Sequence, residues 1–559
     1  MNFTAASIAD TDTANTAGIL GRAARLTVAN ADWAASATTA ADTPITAFTG
    51  YAALATAAGT DANNSILTNA GATLTGSRTT NTLKIDNTSA ATQTLDLAAA
   101  NTLTLTAGGL LVTGADAVNI SNGTLKSTNN AATPDVIIHH HGAGTLTIGS
   151  VIANGGTGAQ TLTKSGTGTL VLTGTNTYTG QTYLNGGITS VGAVGNLSTA
   201  QTNINNATLR VTGSFTKAGT IDLRSLGGTF DVAAGVTFTT SGALTGPGGF
   251  TKSGDGIFLI AGGATYTGPT RLNAGTMRAS AVTQFSFFSD HILADAAGVT
   301  LDMSGFNQTL ASLGGGGVNG GIVTNNGANA TLNTGQNSGD SNFGGAIVNG
   351  TGTVALTKNG AGTMTLSGTG NTYTGGTNVN AGKLLVSGAV SGTASVSISV
   401  TGPLEVSGST TTAVTTDNGG ILTVDSGGTY TSTTRIDANA NSEVSVSGTV
   451  NTPTFNVRAG ARLTAEVGGV LGSATTLNVD GVAIIRSSQT ITALNIGDGG
   501  LATLSPIPPP APAFAAEAPD FAAYAPALAG SPQAVPEPGI AASLLTGLGL
   551  LLGVWRRGA

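Results

Sequence analysis

Along most of the chain, apolar and polar side chains alternate in runs of four to six residues, each closed by Gly or Asn. Gly71-Ala-Thr-Leu-Thr-Gly76, Asn101-Thr-Leu-Thr-Leu-Thr106 and Gly144-Thr-Leu-Thr-Ile-Gly149 are examples, and Gly298-Val-Thr-Leu-Asp-Met-Ser304 is a fourth. A period of two is the mark of a strand with one buried face. Leu103 and Leu105 are predicted to point inward, and Thr102, Thr104 and Thr106 outward. Branching at Cβ fits threonine to a pleated outer surface. Between residues 60 and 500 no segment repeats apolar residues at helical spacing, so the chain reads as all-β.

A longer unit then recurs three times. The first copy runs Leu162-Thr-Lys-Ser-Gly-Thr-Gly-Thr-Leu-Val-Leu-Thr-Gly174, then Asn176-Thr-Tyr-Thr-Gly180 and Leu184-Asn-Gly-Gly187. The second is Phe250-Thr-Lys-Ser-Gly-Asp-Gly-Ile-Phe-Leu-Ile-Ala-Gly262, Ala264-Thr-Tyr-Thr-Gly268 and Leu272-Asn-Ala-Gly275. The third is Leu356-Thr-Lys-Asn-Gly-Ala-Gly-Thr-Met-Thr-Leu-Ser-Gly368, Asn371-Thr-Tyr-Thr-Gly375 and Val379-Asn-Ala-Gly382. Lysine and tyrosine are separated by 14, 14 and 15 residues. Leu170/Leu172, Phe258/Ile260 and Met364/Leu366 fall at equivalent inward positions.

A unit of strands joined by glycine corners cannot bury its apolar side alone, whereas coils stacked on one another can. Parallel stacking also pairs the backbone groups of every coil except those at the two ends. At about 22 residues per coil, residues 60–500 make roughly 20 coils, a rod on the order of 95 Å long at ~4.8 Å per strand. Composition agrees. Apolar residues at 40% and a net charge of -7 do not describe a disordered chain, and aromatics at 4% leave the interior to aliphatic side chains. Twenty scattered Lys and Arg give no basic stripe for nucleic acid. Absence of cysteine removes disulfides and thiol chemistry.

The pattern LTKxGxGTLxLxGxNTYTGxTxxNxG resembles the autotransporter-associated β-strand repeat of surface passengers. The stretch from Leu310-Ala-Ser-Leu-Gly-Gly314 to Gly344-Gly-Ala-Ile-Val348 is similar to the spacer that precedes such a unit. The resemblance implies a right-handed parallel β-helix on an exported protein. Residues 506–559 depart from the family pattern, since a translocator barrel would be expected to show many alternating strands of about ten residues.

Residues 506–534 are rich in Pro and Ala and read as a disordered, extended linker. Val535, Pro536, Glu537 and Pro538 follow, then a predominantly apolar run of seventeen residues, Gly539 to Trp555, and the pair Arg556 and Arg557. At 1.5 Å per residue such a helix spans about 25 Å, a short transmembrane segment. This order resembles the PEP-CTERM sorting signal. The resemblance implies recognition of Val535–Pro538 and cleavage by an exosortase-type membrane protease, with a transient inner-membrane anchor before release to the cell surface or an exopolysaccharide matrix. A sorting tail presupposes export, yet Met1-Asn-Phe-Thr-Ala-Ala-Ser lacks a basic start and an apolar core. The expectation is that Met1 lies within a longer reading frame. The predicted organisation is an Ala/Thr-rich region at 1–60, a cap or a damaged coil; a parallel β-helix at 61–505; a linker at 506–534; and the sorting signal at 535–559.

Few residues offer chemistry. Asp135, His139 and His141 would share one face of a strand, a conceivable set of three metal ligands, with His140 on the other. A polar strand end entering the Gly142 corner is the favoured reading, and no metal or cofactor is expected. Glutamate within the rod is confined to Glu405, Glu443 and Glu466, and aspartates such as Asp222, Asp231, Asp255 and Asp302 are isolated. Lys164, Lys252 and Lys358, with Tyr178, Tyr266 and Tyr373, read as structural residues that close each coil's corner; a ladder of cations and aromatic faces for sugars is the other reading. The expected function is a non-enzymatic surface or matrix protein, structural or adhesive. The alternative is a carbohydrate-active lyase or hydrolase, which a groove with two close carboxylates and a Lys or Arg would favour.

Overall fold

The computed structural model describes residues 26–36 and 43–504, together with short strands at 2–3, 10–11, 15–16 and 19–20. The described chain is an all-β solenoid of right-handed type with about 21 turns. From Ala52–Ala53 onward every strand pairing is parallel, between one coil and the next. The linker and transmembrane helix expected at 506–559 lie outside the described residues.

Each full turn visits three faces in order. The second face is unbroken, a sheet of 21 strands from Ala72–Thr73 to Leu501–Leu504. The first is a 10-stranded sheet that stops at Leu244–Thr245 and resumes as a 12-stranded sheet at Gln308–Thr309. The third carries sheets of five and seven strands. Beyond residue 388 the long strands Ala389–Thr401, Ser409–Asn418 and Thr429–Ala438 turn the corner without a break. Register shifts after Val390 and Thr412 provide the bend, as β-bulges do.

Alternation along each strand decides what is inside. In Thr169–Leu172, Leu170 and Leu172 are buried while Thr169 and Val171 face outward. Successive coils stack like on like, so Ile120, Ile148, Leu172, Val191, Val211 and Val232 form one column. A single core runs from Leu54 to Ile485. Midway it turns aromatic, with Phe238 and Phe258 stacked at 5.5 Å and Phe230 and Phe250 against them. Corners need glycine where the backbone is left-handed. Gly166, Gly254 and Gly360 take φ of +82°, +70° and +69°, and a Cβ on each would collide with a carbonyl oxygen of the preceding coil.

Within the N-terminal region, residues 27–47 stand apart from the parallel stack, whereas Ala52–Ala53 and Gly59–Thr60 already belong to it. Thr27–Val28, Asp32–Ser36 and Thr43–Ala47 pair antiparallel. This small sheet lies on the outer side of the first face, where Trp33 is fully buried against Ala107 and Leu111. Lys84 Nζ reaches Asp32 at 2.6 Å, and the Tyr51 hydroxyl donates to the same carboxylate at 3.2 Å.

Candidate functional site: corner units and outer surface

The three lysines occupy the last inward position of their strands, so their methylenes join the core and the ammonium meets the corner. There the turning backbone leaves carbonyls outside the strand ladders. Lys164 Nζ donates to the carbonyls of Ser165, Gly166 and Gly186 at 3.0, 2.9 and 3.3 Å. Lys252 donates to Ser253, Gly254 and Ala274 at 2.8, 2.7 and 3.1 Å. Lys358 donates to Asn359, Gly360 and Ala381 at 2.7, 2.8 and 3.0 Å. In each case two acceptors belong to the lysine's own corner and the third to the next coil. Burial pushes the Lys164 ammonium down to about 7 and Lys252 to about 8, and lowers Lys358 as well. The ammonium supplies all three N–H donors, and the neutral amine keeps two.

The tyrosines turn inward on the arm that follows. Tyr178, Tyr266 and Tyr373 are buried, and their hydroxyls bond Thr182, Thr270 and Thr377 at 2.8, 2.5 and 2.8 Å. Desolvation raises all three, Tyr373 to about 12. None of the six lysines and tyrosines presents a charge or an aromatic face to solvent.

The units do not share a face. Lys164 and Lys358 lie on the first face and Lys252 on the second. Unit two is therefore rotated by one face about the rod, and its tyrosine arm occupies the gap in the first face.

Strand Asp135–His140 continues through the histidines, so His140 points into the core and bonds the Gly144 carbonyl at 2.9 Å. Burial lowers it to about 4. His139 lies outside, 2.8 Å from Ser165 Oγ and with its ring 5.5 Å from that of Trp33. The His141 ring stacks at 6.1 Å from that of His139. Among the described residues no group of three or more His, Cys, Asp or Glu is placed to hold a metal ion.

Several outer charges pair across coils, as in Arg210–Asp231 at 2.8 Å and Arg278–Asp302 at 2.9 Å. Glu405 stands between Lys383, 3.0 Å away, and Asp425, whose pKa is raised by burial and by the neighbouring Glu405. Two carboxylates and a lysine thus meet on the outer surface. A shallow depression of about 260 Å³ elsewhere is lined by Val171, Thr173, Ser190 and Asn196 among others, with no charged group. The sorting residues Val535, Pro536, Glu537, Pro538, Arg556 and Arg557 lie outside the described residues.

Three segments match the family model described as Passenger-associated-transport-repeat: residues 162–191, 250–279 and 356–386. These are the three lysine–tyrosine units. The chain is also similar to the Adhesin BmaC autotransporter of Brucella suis biovar 1 (strain 1330), at 35% identity over 289 residues. That alignment takes in 46% of this chain and 8% of the relative. No solved structure matches.

Proposed function

We propose that this chain is an exported, non-enzymatic rod that displays an adhesive or structural surface outside the cell. One observation carries the reading: the recurrent lysines and tyrosines are used up inside the corners, holding coil to coil. What recurs is thus scaffold, and any binding specificity belongs to the non-recurrent outer residues. The similarity to a protein named as an adhesin autotransporter supports export and adhesion. The C-terminal resemblance supports delivery by a sorting signal: residues 539–559 hold the chain at the inner membrane until an exosortase-type protease acts beside Val535–Pro538, leaving the rod at the surface or in exopolysaccharide.

Two experiments test this. Beads coated with the purified chain should adhere to cells or matrix where uncoated beads do not; equal adhesion removes the adhesive reading. Mass spectrometry of surface protein from the native host should find a C-terminus near Pro538. Mature protein that retains Trp555 would instead carry a permanent anchor.

The second reading, a carbohydrate-active enzyme, has the Lys383–Glu405–Asp425 cluster in its favour. Reducing-end and unsaturated-product assays on pectin, alginate and xylan decide it. Turnover that is lost in Glu405→Gln or Asp425→Asn establishes the enzyme, and no turnover leaves the rod.

A further inference from the structure

The first two units repeat with a constant offset of 88 residues that extends past their recognised ends. Strands Thr182–Leu184, Ile188–Val191 and Thr202–Ile204 have counterparts that start 88 residues on, at Thr270–Leu272, Thr276–Ala279 and Asp290–Leu293. The connecting loops, 192–201 and 280–289, are counterparts as well, and their inner anatomy is shared. Asn196 Nδ2 donates to the Gly174 carbonyl at 3.1 Å, and Gln284, with its amide oriented to satisfy its neighbours, donates to Gly262 at 2.7 Å. Leu197 and Phe285 fill the core beneath. Ser198 Oγ donates to the Gly180 carbonyl at 2.7 Å; its counterpart Ser286 donates to Tyr266 at 2.7 Å, and Ser289 takes Gly268, the counterpart of Gly180, at 2.8 Å.

The outer residues differ. Thr199 and Ala200 in the first loop become Phe287 and Phe288 in the second. These two rings are 41% and 50% exposed, with centroids 3.8 Å apart. Every other described aromatic ring is buried or half-buried. The first loop joins the equivalent strands without any aromatic there. The second loop also holds Thr283 at φ +52°, a region in which a β-branched residue is strained; the first loop instead makes a 3-10 turn at Val194–Asn196.

We infer that loop 280–289 is a carbohydrate-contacting site, with Phe287 and Phe288 as the stacking platform. The assignment rests on the adhesive reading above and names its ligand class. Two rings offer far less than the ~800 Å² per partner of a stable protein interface. They match the C–H face of one or two sugar rings, whose hydroxyls then need polar partners at the rim. Such partners are present. Ser289 turns inward to the Gly268 carbonyl at 2.8 Å, so Asp290, two residues after Phe288 in the chain, returns to the outer side. Its Oδ1 accepts from Ser312 Oγ and from Asn337 Nδ2, each at 2.6 Å. The second of these bonds brings the exposed loop at 335–340 alongside.

The test is the double variant F287T/F288A, which installs the residues of the first loop. Its circular dichroism and melting should equal the wild type's. On a printed array of neutral and acidic oligosaccharides the full chain should bind at least one structure. Titration calorimetry with that oligosaccharide should show the double variant at least tenfold weaker. A wild-type chain that binds no oligosaccharide, or a variant of unchanged affinity, overturns the site. If coated beads still adhere through the phenylalanines but ignore every sugar, the carbohydrate assignment fails while the adhesive reading stands. If the wild type adheres to nothing, both fail.

Discussion

A buried lysine is costly unless its hydrogen-bonding capacity is filled, and three carbonyls per ammonium fill it here. Lys164→Met should leave those acceptors unpartnered and cost about 1–3 kcal/mol in urea unfolding at pH 7. The pH dependence has a definite sign. The folded-state pKa of Lys164, about 7, lies below the unfolded value. Between pH 7 and 9.5 the unfolded chain therefore binds the extra proton, and stability rises with pH. That rise should be shallower in Lys164→Met, as read from urea midpoints across the window. At the acid end, burial holds His140 and His291 at about 4. Stability should fall as the pH drops from 6.5 to 4, because the unfolded chain takes up protons that the folded one refuses. His291→Gln should lessen that fall.

The strand and the corner are the elements that matter, and each was legible to a different degree. Inward and outward positions follow from period two alone, and Leu170/Leu172, Phe258/Ile260 and Met364/Leu366 are buried. Leu170→Asp should place an unpaired charge between coils and lower the urea midpoint by an amount equivalent to about 3–5 kcal/mol or abolish soluble expression; an unchanged midpoint would remove Leu170 from the core. On the tyrosine arm, Tyr266→Phe deletes the bond to Thr270 and should cost about 1 kcal/mol in the same measurement. Which face a unit occupies was not legible. Units one and two read alike in sequence, yet they are rotated by one face, because a face is counted from how many strands and arms the preceding coils used. The strand carrying His140 also hid its role: alternation places the imidazole inward only when pairing persists past Ile138.

Across the whole molecule, stability is a sum of neighbouring contacts, so the ends are its weakest parts. The final coil exposes Ile496, Leu501 and Leu504, and its strands pair on one side only. Amides of Leu501–Leu504 should exchange with deuterium well before those of Glu443–Val446, which are held by neighbours on both sides. Equal protection would mean that another segment covers this edge.

The sequence by itself determined the all-β class, the stacked-coil architecture, the inward positions and the three units, because each rests on spacing along one strand or across one corner. Tertiary structure decided the rest. It set the rotation of unit two and the lateral sheet around Trp33. It made tripod clamps of the corner lysines, since their third acceptor comes from another coil. It also set Asn337 against Asp290, 47 residues earlier. Those contacts join residues about a coil or more apart, and no local period encodes them.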